Sequence, residues 1–108
     1  MEFKELSSAA LEVRKEYEAL ETKLYGRSWD TKEIALGFVG DVGDLSKLVL
    51  ANEGMRQIDG HKEKLSHELS DCLWSILVLA DHCDVDLEKE FLKTMNELKL
   101  HISSKENT

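Results

Sequence analysis

No proline occurs anywhere in the 108 residues and glycine occurs only six times, so little in the chain interrupts long helices. Cysteine is almost as scarce. Cys72 and Cys83 form neither a disulfide framework nor a CxxC metal pair. One sits in an apolar helical stretch and the other near a helix end, so both read as buried thiols, and neither lies in the electropositive setting that activates a thiolate. Basic residues are few against acids, 14 to 22, and the net charge of −8 leaves no basic face for a nucleic-acid polymer. A phosphorylated small molecule is still admissible, because a metal ion can bridge an acidic protein and an anionic ligand. Long hydrophobic runs are missing too: Ile76 to Ala80 falls far short of the ~20 residues needed to cross a bilayer. The charged start, Met1-Glu-Phe-Lys-Glu, has no secretory apolar stretch. The expectation is a cytoplasmic protein without a membrane span.

What is present is ordinary for a globular domain, 42% hydrophobic and 33% charged, and the length suits one domain over residues 1–108. Periodicity and punctuation predict four helices and no strands, an all-α fold. The first covers about Phe3 to Leu24, with Leu6, Ala9, Ala10, Val13, Tyr17, Leu20 and Leu24 at three- and four-residue steps and Glu12, Lys15, Glu16 and Lys23 on a solvated face. Gly26 suits its C-terminal cap. Asp30 or Thr31 caps a second helix, Glu33 completes a capping box, and Gly54 ends it after Asn52 or Glu53. The third helix covers about Lys62 to His82. Asp86 caps a fourth that reaches about Ile102, ahead of a polar tail, 103–108, expected to fray.

The third helix bears on assembly. From Cys72 to Ala80 it is apolar nearly all round, and a helix of that kind needs cover on every side. A second subunit supplies it most simply, so a homo-oligomer is expected. Gly37, Gly40 and Gly43, each costing ~1 kcal/mol relative to alanine inside a helix, form a narrow strip on the second helix that admits a close neighbour. Helix packing is the simpler reading of that strip, and ligand access the other.

The chemistry lies in two pairs of acids. Asp41 and Asp44 on the second helix, and Glu68 and Asp71 on the third, are each spaced i, i+3, so each pair projects from one side of its helix. Asp41 falls within the apolar stripe between Ile34 and Leu48, and Glu68 falls beside Leu79. Carboxylates on the buried side of two neighbouring helices are costly unless neutralised or bound to cations, and their repulsion raises pKa values in a metal-free site. An acid pair on one helix is commonly just a solvated face; two pairs on consecutive helices, each against an apolar stripe, point to a divalent cation. Four carboxylates without thiolate or imidazole suit Mg²⁺ or Mn²⁺. His61, His67, His82 and His101 read as solvated or helix-end residues, and no Glu-x-x-His pair of a di-iron site is present.

At these residues the chain resembles the MazG-like nucleotide pyrophosphohydrolases, all-α NTP pyrophosphatases whose pattern is Glu-x-x-Glu followed by Glu-x-x-Asp. Here it reads Gly40-Asp41-Val-Gly-Asp44-Leu and His67-Glu68-Leu-Ser-Asp71-Cys-Leu, and Leu79-Ala-Asp-His-Cys-Asp-Val-Asp86-Leu87 resembles the family's entry into its last helix. The likeness spans roughly Trp29 to Met95. It implies a four-helix bundle that assembles as a homodimer or homotetramer. It further implies hydrolysis of a (deoxy)nucleoside triphosphate to monophosphate and pyrophosphate, with Asp41, Asp44, Glu68 and Asp71 as the catalytic acids holding Mg²⁺. By the same likeness Trp29 lies where relatives place a ring near the base, and Ser75 where some place a base contact. Lys47, three residues after Asp44, is a candidate for phosphate, with a surface ion pair as the alternative, and Trp74 is expected at an interface.

Three departures keep other readings open. Both glutamates of the first pair are aspartates, each shorter by a methylene. The lysine and asparagine positions of the family's last helix are Thr94 and Leu98, with Lys93, Asn96 and Lys99 out of register. The tail His101-Ile-Ser-Ser lacks the family's basic-aromatic-proline ending. The second reading is therefore a catalytically weakened relative that binds nucleotide or metal, or serves as an oligomeric interaction module. A third is a purely structural helical bundle whose acids pair with Lys47 or with basic residues of another subunit.

Overall fold

A computed structural model describes residues 2–107 of the chain; Met1 and Thr108, the two ends of the expected domain, lie outside the described residues. All regular structure among them is helical: α1 (Phe3–Tyr25), α2 (Thr31–Asn52), α3 (His61–His82) and α4 (Leu87–Glu106).

Local chemistry fixes most of the helix ends. Gly26 takes the left-handed conformation, φ +79°, and donates its N–H to the Thr22 carbonyl, closing α1 as a residue without Cβ does at least cost. Asp30 begins α2 with the expected capping box. Its carboxylate accepts from the Glu33 N–H at 2.9 Å, and the Glu33 carboxylate accepts from the Asp30 N–H at 3.2 Å. Arg27 grips the same Glu33 with both terminal nitrogens, at 2.6 and 2.9 Å. That guanidinium first, and the Asp30 N–H second, pull the Glu33 carboxyl down to about 2. Asp86 caps α4, its carboxylate accepting from the Lys89 N–H.

The core is built on α2 and α3, which pack along one another, with α1 laid more lightly against α3. Thr31, at the start of α2, lies 3.2 Å from His82, at the end of α3, so the two run antiparallel. The buried apolar residues are Ile34, Leu48 and Ala51 of α2, Cys72, Leu77 and Val78 of α3, with Val78 fully enclosed, and Ala10 of α1. Trp74 is tied to α1 rather than left for an interface: its indole N–H donates to the Ala10 carbonyl at 3.1 Å, and its ring meets Tyr17 edge-on at 6.0 Å.

Several expectations need correction. α4 does not stop at Ile102 but continues through Ser103–Glu106, since none of those residues breaks a helix and Ser104 donates to the His101 carbonyl within it. Cys83 is exposed, because it closes the C-terminal end of α3 instead of facing the core. Apart from Ala10, most of the apolar stripe of α1 is not core: Val13, Tyr17, Leu20 and Leu24 are each at least 41% exposed and line a cavity. The Gly37–Gly40–Gly43 strip receives no helix of the same chain, and a Cβ added at any of the three would meet only open space.

The molecule is extended. Its Cα radius of gyration is 17.4 Å, whereas a compact domain of this length has one of about 13 Å. α4 buries no residue and shares only sparse contacts with the rest, leaving Phe91, Leu92, Leu98, Leu100 and Ile102 in solvent. On α3, the face carrying Leu69, Leu73 and Ile76 is also uncovered, as its all-round apolar sequence requires of a lone chain. Among the described residues no helix is long and apolar enough to cross a membrane.

Candidate metal centre

Packing α2 against α3 brings three of the four predicted acids together. Asp41 and Asp44, one turn apart on α2, and Glu68 on α3 each offer a carboxylate oxygen within 4.8 Å of the others. Asp41 and Glu68 are half-buried at the seam, and Asp44 is exposed at its rim. The shorter side chains of the first pair still converge, because the helices are close enough to make up the lost methylenes.

The electrostatics of the cluster are those of a site lacking counter-charge. Burial, and after it the charges of Asp71 and Asp44, push the Asp41 carboxyl above its usual range. Burial, then Asp41, Asp71 and Asp44, do the same to Glu68. The repulsion expected from sequence is therefore present but secondary to desolvation. One atom carries the point furthest: Glu68 Oε2 is shut off from water and accepts no hydrogen bond among the described residues. An orphaned buried carboxylate oxygen is costly, and a hard cation held by the three carboxylates satisfies it without any other change. The donor set, all oxygen and acidic, fits Mg²⁺ or Mn²⁺.

The fourth acid is not in the cluster. Asp71 turns to His67 one turn earlier on α3, with Nε2 3.2 Å from its Oδ2. Its coupling to Asp41 and Glu68 is through charge alone. His67, its side chain 75% exposed as the solvated reading expects, stands beside Asp71.

Two cavities flank the cluster and share His67. The larger, about 620 Å³, lies towards α1 and is walled by Tyr17, Leu20, Trp29 and Trp74, with Asp41 and Asp71 at its edge. The smaller, about 420 Å³, lies towards the start of α3 and holds Asp44 and Glu68 beside Lys47 and Lys64. Lys47 has no ion-pair partner among the described residues, so neither the surface pairing nor its neutralisation of the acids is found within the chain. Trp29 is half exposed and lines the larger cavity. Ser75, by contrast, is 2% exposed inside the core and lines neither cavity. Thr94 and Leu98, with Lys93, Asn96 and Lys99, ride on α4 and line neither cavity.

Lys64 was missed because a lone lysine in a charged first turn has no distinguishing context. Arg14 and Glu21, both buried, were missed too, although Ala10, Arg14, Tyr17 and Glu21 follow the three- and four-residue steps of the apolar stripe. Compared with protein-family models, curated proteins and solved structures, the chain gives no match in any of the three.

The raised carboxyls dictate a pH dependence. Asp41 and Glu68 hold protons in the folded, metal-free protein at pH values where an unfolded chain has lost them. Metal-free stability therefore falls as pH rises through the region just above the ordinary carboxylate range. A cation that displaces those protons binds better over the same rise. Mg²⁺ or Mn²⁺ at ten times its Kd should add about 1.4 kcal/mol and raise the melting temperature by about 5 °C at pH 7.5. The gain should shrink towards pH 5 and vanish in Glu68→Gln. Thermal melts across pH, with and without the ion, check this.

Proposed function

We propose that this chain is a divalent-metal-dependent nucleotide pyrophosphohydrolase, cleaving a (deoxy)nucleoside triphosphate to monophosphate and pyrophosphate. The observation that carries the reading is the convergence of Asp41, Asp44 and Glu68, whose Oε2 is buried and unsatisfied, with an aromatic cavity and one bearing lysines lined by members of the cluster. The resemblance of the Asp-x-x-Asp and Glu-x-x-Asp segments to the MazG-like pattern supports the same conclusion.

The two cavities suit the two ends of such a substrate. A cavity of about 620 Å³ walled by Tyr17, Trp29 and Trp74 offers flat faces to a base, within the size range of small-molecule sites. On the other side Lys47 and Lys64, which form no ion pair among the described residues, would meet the outer phosphates. Mg²⁺ held by Asp41, Asp44 and Glu68 would supply positive charge to the phosphate oxygens and acidify an attacking water. Water attacks the α-phosphorus, the bond from it to the oxygen bridging to the β-phosphorus breaks, and pyrophosphate leaves with that oxygen. Asp71, with His67 Nε2 3.2 Å from its Oδ2, is our candidate to accept the water's proton.

Assembly belongs to the same reading. A compact monomer of 12.3 kDa exposes about 6,100 Å², and this chain exposes 8432 Å², an excess of roughly 2,300 Å². An obligate dimer interface hides about that much on each partner. The uncovered faces of α3 and α4, and the outer side of α2 with Leu36, Val39, Gly40 and Gly43, supply an apolar surface on which a second copy packs.

Two experiments test the proposal. Pyrophosphate release should be measured from a panel of NTPs and dNTPs with Mg²⁺ or Mn²⁺. Release should depend on the ion and fall at least about 100-fold in Glu68→Ala, the scale expected when a metal site is disrupted. No release from folded protein, with activity appearing only in Asp41→Glu combined with Asp44→Glu, would identify a weakened binding relative instead. Light scattering should give a multiple of 12.3 kDa, and Leu73→Glu with Ile76→Glu should return the monomer. A native protein that is monomeric at micromolar concentration would contradict the assembly.

A further inference from the structure

Arg14 and Glu21 are the most deeply buried charged residues of the described chain, 2% and 4% exposed, and the hydrolytic scheme above gives them no chemistry. They lie two turns apart on α1 and face one another as a fork, Nη1 to Oε2 at 2.9 Å and Nη2 to Oε1 at 3.0 Å. The pair does not end on itself. Arg14 Nη2 also donates to the Trp29 carbonyl at 3.0 Å, and Glu21 Oε1 accepts from the Trp29 N–H at 2.7 Å. Both main-chain polar groups of a single residue are thereby held by one buried ion pair. The Trp29 indole stays half exposed on the cavity, whose floor Arg14 and Glu21 themselves help to form.

A buried ion pair is a poor device for stability, since apolar residues of similar volume commonly do as well or better. What it provides is geometry: the planar guanidinium and carboxylate fix directions that an apolar pair leaves free. Here those directions end on the turn between α1 and α2, where the Trp29 backbone has no other side-chain partner among the described residues and is followed at once by the Asp30 cap. We infer that Arg14 and Glu21 are positioning residues whose paired hydrogen bonds to the Trp29 backbone hold its ring as a preformed wall of the cavity, so that a planar ligand ring stacks on it without first ordering the turn. The inference rests on the proposed nucleotide reading for the identity of the ring, and on the hydrogen bonds alone for the clamp.

The test separates positioning from stability. Trp74→Phe leaves Trp29 as the sole tryptophan, so its fluorescence reports the turn. In that background Arg14→Met with Glu21→Leu should retain the melting temperature, as apolar replacement of a buried pair commonly does, while acrylamide quenching of Trp29 rises at least about twofold. Arg14→Lys, which keeps the charge but not the fork, should loosen Trp29 likewise. With Trp74 intact, both changes should raise KM about tenfold with kcat held within about twofold, the pattern of lost ground-state binding. Unchanged quenching in folded variants overturns the clamp, and freed Trp29 with unchanged KM overturns its role in the site. If the native protein hydrolyses no nucleotide, the nucleotide reading fails and the quenching result still decides the clamp.

Discussion

Helix packing between α2 and α3 draws two carboxylates, Asp41 and Glu68, partly out of water and sets Asp44 beside them, with no ion pair to any of the three among the described residues. That contact cannot be relaxed by moving an exposed side chain, since the same seam carries Ile34, Leu48, Cys72 and Val78. The apolar core thus enforces the electrostatic conflict: burial that stabilises the helix pair also holds the acids together. The metal-free protein answers by favouring the protonated forms, at the cost of an unpartnered oxygen on Glu68. A divalent ion would remove both problems at once, and the proposed metal site rests on that.

The rest of the molecule is arranged around that seam but does not close over it. α1 leans on α3 through Trp74, leaving its own apolar stripe to wall a cavity instead of filling a core. Its two buried charges hold the following turn, and through it Trp29. α4 stands apart with an apolar side in solvent, and the extended shape follows directly. The second copy proposed above would cover this apolar surface.

What the sequence disclosed, and what it withheld, divides by range. Helix ends depend on neighbours within four residues, so Gly26, the Asp30–Glu33 box and Asp86 were legible. The i, i+3 acids were legible on the same ground. Which acids converge was not, because that depends on the rotation of α2 against α3, and it placed Asp71 with His67 outside the trio. Ser75 shows the same limit: the direction of packing, which the sequence does not carry, puts it inside the core. Arg14 and Glu21 were read past because a charged residue on a helix is ordinarily solvated, and only a partner two turns away makes burial tolerable. The end of α4 was misjudged for a different reason: polar residues suggested fraying, yet nothing in Ser103–Glu106 opposes helix.

The central claim is that Asp41, Asp44 and Glu68 together hold one divalent cation. Anomalous diffraction from crystals grown with Mn²⁺ locates such an ion without reference to any activity. The account predicts a peak within about 2.0–2.3 Å of an oxygen of each of the three, Glu68 Oε2 included. Crystals saturated with Mn²⁺ that show no peak between α2 and α3, or a peak held by Asp71 without Glu68, would contradict it.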